Sequence, residues 1–158
     1  MKVMATGTFD LLHPGHALYL QKAKELGGAD AILAVVVAKD STVKKRKRTP
    51  VINEDQRLEM VRMLKPVDEA YLGYEGDMFR IVREIEPDII AIGSDQSHDP
   101  VKLQEALDKR GINAVAKRVS DYKEGELYSS CKIIKRIKHT DLEDKRLDEC
   151  VEHKKPHD

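Results

Sequence analysis

Gly7-Thr8-Phe9-Asp10-Leu11-Leu12-His13-Pro14-Gly15-His16 stands between two segments of different periodicity. Before it, Lys2-Val3-Met4-Ala5-Thr6 is a short apolar run of the kind that becomes a strand covered on both faces. After it, Ala17, Leu18, Leu20, Ala23 and Leu26 recur at helical spacing. Pro14 suits the first turn of that helix, where its missing N–H leaves nothing unsatisfied. Open parallel sheets bind ligands beyond the carboxyl ends of their strands, so the histidines, the aspartate and the glycine at this edge are expected to face one. His13 and His16 lie three apart and project to one side of the helix start. Gly15 lets a phosphate come close to the backbone, and the first N–H groups of the helix supply partial positive charge. The competing reading is a zinc pair, but zinc needs a third and usually a fourth ligand, and no nearby Cys or His completes the set.

Outward from this stretch, apolar strands alternate with amphipathic helices. Ala31 to Ala38 is the clearest buried strand, and a helix follows over about Asn53 to Leu64, with Asn53 as its cap. Glu69 to Leu72 is a short third strand, Met78 to Ile85 a helix, and Asp88 to Gly93 a fourth strand. Val101 to Lys109 is helical and ended by Gly111. Asn113 to Val119 is a fifth strand, and a last helix runs from about Ser129 into the Lys138 region. This succession predicts an α/β fold with one doubly wound parallel sheet and right-handed crossovers. Residues 1–139 form the domain, and 140–158 read as a charged C-terminal tail in which His153 and His157 are solvated.

A chain of 158 residues suits one such domain. Charged residues make up 35% of it at a net charge of zero, so the chain as a whole has no pull toward nucleic acid or acidic membrane. Two cysteines, Cys131 and Cys150, cannot make a disulfide framework or a four-thiolate metal site. Neither a signal sequence nor a bilayer-length apolar stretch is present, and a soluble, cytoplasmic protein is expected.

Three further places could carry chemistry. Lys44-Lys45-Arg46-Lys47-Arg48 follows the second strand, and as a loop on the same sheet edge it could close over a triphosphate. Gly93-Ser94-Asp95-Gln96 ends the fourth strand, either as a plain turn or as a floor for a nucleotide. Ser129-Ser130-Cys131 opens the last helix, where hydroxyls and N–H groups suit phosphate. Cys131 there is either a thiol activated by the helix start or a small core residue. Tyr122 and Tyr128 either stack on a base or flavin, or pack as core.

The segment 7–16 resembles the G-T-F-D-x-x-H-x-G-H signature of the cytidylyltransferase-type nucleotidylyltransferases. Ile52 to Arg57, Leu64-Lys65-Pro66-Val67-Asp68 and Glu126 to Ile134 resemble the archaeal FAD synthetase (FMN adenylyltransferase) branch, and the resemblance covers roughly residues 2 to 138. It departs from glycerol-3-phosphate and choline-phosphate cytidylyltransferases, having Glu124 and Leu127 where those carry Arg and Gly. The resemblance implies a Rossmann-like nucleotidylyltransferase fold and transfer of AMP from ATP to FMN, by in-line attack on the α-phosphate with release of pyrophosphate. It implies catalysis by His13, His16 and a lysine, Lys47 by its spacing of ten from Arg57 or else Lys44. Nucleotide contacts would come from Thr8, Phe9, His13, Pro14, Gly15, His16, Asp95, Tyr122, Ser129 and Ser130. Asp10 would order the site or act on a metal indirectly, and Arg57 would either serve the site or be an exposed helix residue. Mg²⁺ or another divalent cation and a homodimer are expected. The rivals are cytidylyl transfer to glycerol 3-phosphate or another small phosphate, a non-catalytic nucleotide sensor or flavin-binding module, and a nucleic-acid-binding protein using Lys44 to Arg48.

Overall fold

The structure, a computed structural model, describes residues 1–46, 48–94, 96–120 and 125–140. Lys47, Asp95, Tyr122, Glu124 and residues 141–158 of the expected tail, with Cys150, lie outside the described residues.

The chain runs β1 (Lys2–Gly7), α1 (Pro14–Glu25), β2 (Ile32–Val37), α2 (Asp40–Arg46), α3 (Glu54–Arg62) and β3 (Glu69–Leu72). It continues with α4 (Phe79–Ile85), β4 (Ile89–Ile92), α5 (Pro100–Asp108), β5 (Val115–Arg118) and α6 (Ser130–His139). The strands form one sheet in the order β3-β2-β1-β4-β5, every neighbouring pair parallel. This is the doubly wound, Rossmann-like arrangement expected from the alternation of elements. Its direction reverses beside β1, which pairs with β2 from Lys2↔Ile32 to Gly7↔Val37 but with β4 only from Val3↔Ile89 to Ala5↔Ala91. The central strand therefore leaves β4 two residues before it leaves β2.

Side chains alternate across a strand, and the core divides accordingly. Val3, Ala5, Leu33, Val35, Val37 and Ala91 face Leu20 and Ala23 of α1 and Leu58 and Val61 of α3. Met4, Ala34, Val36 and Ile90 face Phe79, Ile81, Val82 and Ile85 of α4 and Leu107 of α5. Removing one such fully buried Leu or Ile side chain to Ala typically costs about 2–5 kcal/mol. Two apolar positions depart from expectation: Ala17 faces outward, and Ile32 opens β2 at 43% exposure.

The basic run corrects a second expectation, because its first residues are helical. Val43 is buried, and Asp40 opens α2 by clasping α3. The Asp40 N–H donates to a Glu54 carboxylate oxygen at 2.6 Å, and the Glu54 N–H donates to Asp40 at 3.3 Å. Each acid satisfies the first turn of the other's helix, and this mutual cap holds the two helix starts together.

Candidate active site

At the carboxyl end of β1 the backbone turns sharply. Phe9 is buried and takes φ +52°, a left-handed conformation that a bulky side chain adopts only when its surroundings enforce it. Its ring folds back over Gly7, where a Cβ would meet ring carbons at 2.8 Å. The same ring leans on His16, with centroids 5.3 Å apart. His16 in turn stacks on His13 at 3.8 Å and 27°, so the two imidazoles share a side as their spacing implied. His13 is the extended cap residue of α1, and its side chain does not cap the helix. A Cβ on Gly15 would come within 2.9 Å of the His13 ring and 3.2 Å of the Tyr128 carbonyl. The glycine thus admits both neighbours to the helix start.

Asp10 and Arg57 anchor this turn from below. Asp10 is 5% exposed and accepts N–H groups of Ile52 at 2.8 Å and Val51 at 3.0 Å, with Arg48 paired at 2.6 Å. Burial pushes its pKa up, but these donors more than offset that and hold the carboxyl below its ordinary value. It orders the segment leading into α3, with its oxygens committed to those donors. Arg57 is not an exposed helix residue, since its exposure is zero. It donates to the carbonyls of Ile52 at 2.9 Å, Thr8 at 2.5 Å and Ala38 at 2.9 Å, and to the Asp40 carboxylate at 2.6 Å. The Thr8 bond fixes the peptide just before Phe9 and therefore the ring that supports His16.

The last helix reaches the same place. Ser129 is the extended cap residue of α6, without a side-chain cap, and the Ser130 hydroxyl donates to the Leu11 carbonyl at 3.2 Å. At α3 and α5 the cap residues do cap, Asn53 accepting from the Gln56 N–H and Asp99 from the Val101 N–H, and ahead of α4 Asp77 accepts from the Phe79 N–H. The starts of α1 and α6, neither with a side-chain cap, converge, and the positive ends of the two helices lie together. Cys131 is exposed in the first turn of α6 and is no core residue. Tyr128 is half-buried, its ring against Gly125. Lys44 is exposed on α2.

The sequence reading missed Gln96, Arg118 and Tyr19. The Gln96 side chain joins the Gly93 N–H to the Thr6 carbonyl, and Arg118 reaches the carbonyls of Gly93, Gln96 and His98. The sequence signal for Gln96 is its place in the turn after β4, next to Asp95. Among the described residues no group of three or more His, Cys, Asp or Glu could hold a metal ion.

A five-stranded parallel sheet with helices on both faces, its carboxyl edge carrying a stacked histidine pair, defines a Rossmann-like α/β protein. More particularly, the chain belongs to the cytidylyltransferase-like family, whose model matches residues 4–136. It is 69% identical over 144 residues to a Methanobrevibacter ruminantium protein named FAD synthase, covering 91% of this chain and 96% of that one. The FAD synthase of Methanobrevibacter smithii is 63% identical over 150 residues, with 94% and 98% covered. A solved Thermoplasma volcanium structure, described as a lipopolysaccharide core biosynthesis protein, superposes with a TM-score of 0.74. It is 46% identical and covers 78% of this chain and 98% of its own. No helix among the described residues is long and apolar enough to cross a membrane.

Proposed function

We propose that this chain is an FAD synthase that transfers AMP from ATP to FMN. The observation that carries the reading is the 69% identity, over nearly the whole length of both chains, to a protein of that name. The stacked His13 and His16 at the uncapped start of α1 supply the matching chemistry. An FMN phosphate oxygen forms a bond to the α-phosphorus while the bond to the β-phosphate bridging oxygen breaks, and pyrophosphate leaves. The attacking oxygen is already ionised, so no base is required, and catalysis rests on alignment and on neutralising charge. His13 and His16 donate to the α/β-phosphate oxygens, assisted by Lys47 or Lys44 and by the Ser129–Ser130 helix start.

Thr8, Phe9, Pro14 and Gly15 shape the phosphate side in this reading, and Asp95 and Tyr122 contact the nucleoside. A divalent cation such as Mg²⁺ would come in with ATP and offset charge on its phosphates, while the Asp10 oxygens are already committed to the Ile52, Val51 and Arg48 donors. We assign catalysis to residues 1–139 and expect a cytoplasmic homodimer.

The test pairs Mg–ATP or Mg–CTP with FMN or glycerol 3-phosphate under reducing conditions and follows pyrophosphate and FAD. FAD formation confined to ATP with FMN is the expected result. Turnover with CTP and glycerol 3-phosphate instead would replace the reaction assigned, and silence with every pair would favour a nucleotide sensor.

A further inference from the structure

Between β1 and β4 the sheet comes apart, and its loose ends are closed by side chains. Pairing stops at Ala5↔Ala91, so the Thr6 carbonyl lies beyond the β1–β4 ladder. Gln96 spans the gap: its Nε2 donates to that carbonyl at 2.7 Å, and its Oε1 accepts from the Gly93 N–H at 3.1 Å. The Tyr19 hydroxyl, from α1, donates to the Ala91 carbonyl at 3.0 Å and lies 3.4 Å from the Thr6 carbonyl. Arg118, at the end of β5, grips the segment from outside, donating to the carbonyls of Gly93 at 2.8 Å, Gln96 at 3.2 Å and His98. Gln96 and Tyr19 therefore both tie the two strand ends together, and Arg118 fixes the segment that carries Gln96.

We propose that Gln96 is a positioning residue for the nucleoside half of the substrate, with Arg118 as its outer support. The inference rests on the reading that ATP binds at this edge. Ligands of doubly wound sheets lie in the crevice at the point where strand order reverses, which here is the β1–β4 gap. Glutamine suits the position because one side chain presents both the donor and the acceptor that the parted strands require. Gln96 acts on the crevice through Thr6 and Gly93, whereas the histidine stack leans on Phe9, which the Arg57 bond to the Thr8 carbonyl supports. Losing Gln96 should therefore weaken nucleotide binding and spare the transfer step.

The experiment measures kcat and the KM values for ATP and FMN on the full chain with Mg²⁺, with a melting curve for each variant. Gln96→Met removes both bonds at similar length, and Gln96→Glu keeps the acceptor but sets a carboxylate against the Thr6 carbonyl. Both should raise KM for ATP about tenfold, with kcat within about threefold of the parent and KM for FMN within about twofold. Arg118→Lys, which gives up the planar fork, should shift KM for ATP the same way by about threefold. An unchanged KM for ATP overturns the proposal. So does a parallel loss of kcat and both KM values that tracks the melting temperature. If Gln96→Met does not fold, the Arg118→Lys shift decides on the same terms. If the parent chain makes no FAD, the function assigned above fails instead. Calorimetric binding of ATP to the parent and Gln96→Met chains then decides, equal affinities being the overturning result.

Discussion

Arg57 and Arg118 stand on opposite sides of the β1–β4 crevice, and each donates to three backbone carbonyls. Their surroundings differ. Arg57 is at zero exposure, adds a carboxylate partner in Asp40, and fixes the turn that carries Phe9 and the histidine stack. Arg118 lies at the exposed rim, its partners all in one segment after β4. Water can replace the bonds of Arg118 but not those of Arg57, so the same fork is worth far more on the buried side. The histidine side of the crevice is thereby held in one arrangement, while the Gln96 side is held by contacts that solvent can loosen.

The largest expected effect tests the buried side directly. Arg57→Met leaves the carbonyls of Thr8, Ala38 and Ile52 without their donor, and should lower stability by about 3–5 kcal/mol in denaturant unfolding. A loss below about 1 kcal/mol would erase the contrast between the two arginines. Next comes His16→Ala, which should reduce kcat on the order of a hundredfold while leaving KM for ATP within about threefold. Equal losses in kcat and ATP binding would place that histidine on the recognition side instead.

Acid unfolding probes the buried side in another way. The folded pKa of Asp10 lies below its ordinary value despite burial, because Ile52, Val51 and Arg48 favour the charged form. Its contribution to stability is therefore complete above the unfolded pKa and drains as pH falls through the folded one. Asp10→Asn should be the less stable chain at pH 7, and its deficit should shrink below about pH 4. A deficit independent of pH would mean that the carboxylate charge does not hold the 48–52 segment. The smallest effect belongs to the rim: Arg118→Met should change folding stability by less than about 1 kcal/mol.

Much of this was legible in the chain. The Ala-Ile-Leu-Ala-Val-Val-Val-Ala run and the signature at 7–16 give the sheet and the site edge because their partners in the argument are sequence neighbours. What escaped reading depends on distant partners. Arg57 sits in Glu-Asp-Gln-Arg-Leu-Glu, a stretch that reads as a solvated helix face. Its burial comes from carbonyls 19 and 49 residues away. Gln96 bonds to Thr6 across 90 residues. The α2 helix was hidden by the lysines and arginines that follow Val43, whose charge suggests a loop, although Asp40 and Ser41 are ordinary helix-start residues.

The position of β1 in the middle of the sheet also dictates an order of assembly. Val3 pairs with Leu33 on one side but with Ile89 on the other. At about 5–20 residues per second of synthesis, the first strand waits roughly 3–11 s between the emergence of Leu33 and that of Ile89. During that wait one edge of the future central strand has no neighbour, and long-range pairing of this kind is slow to nucleate. The β1–β4 crevice is thus among the last parts of the domain to exist, closed only when the second half of the chain returns to the first.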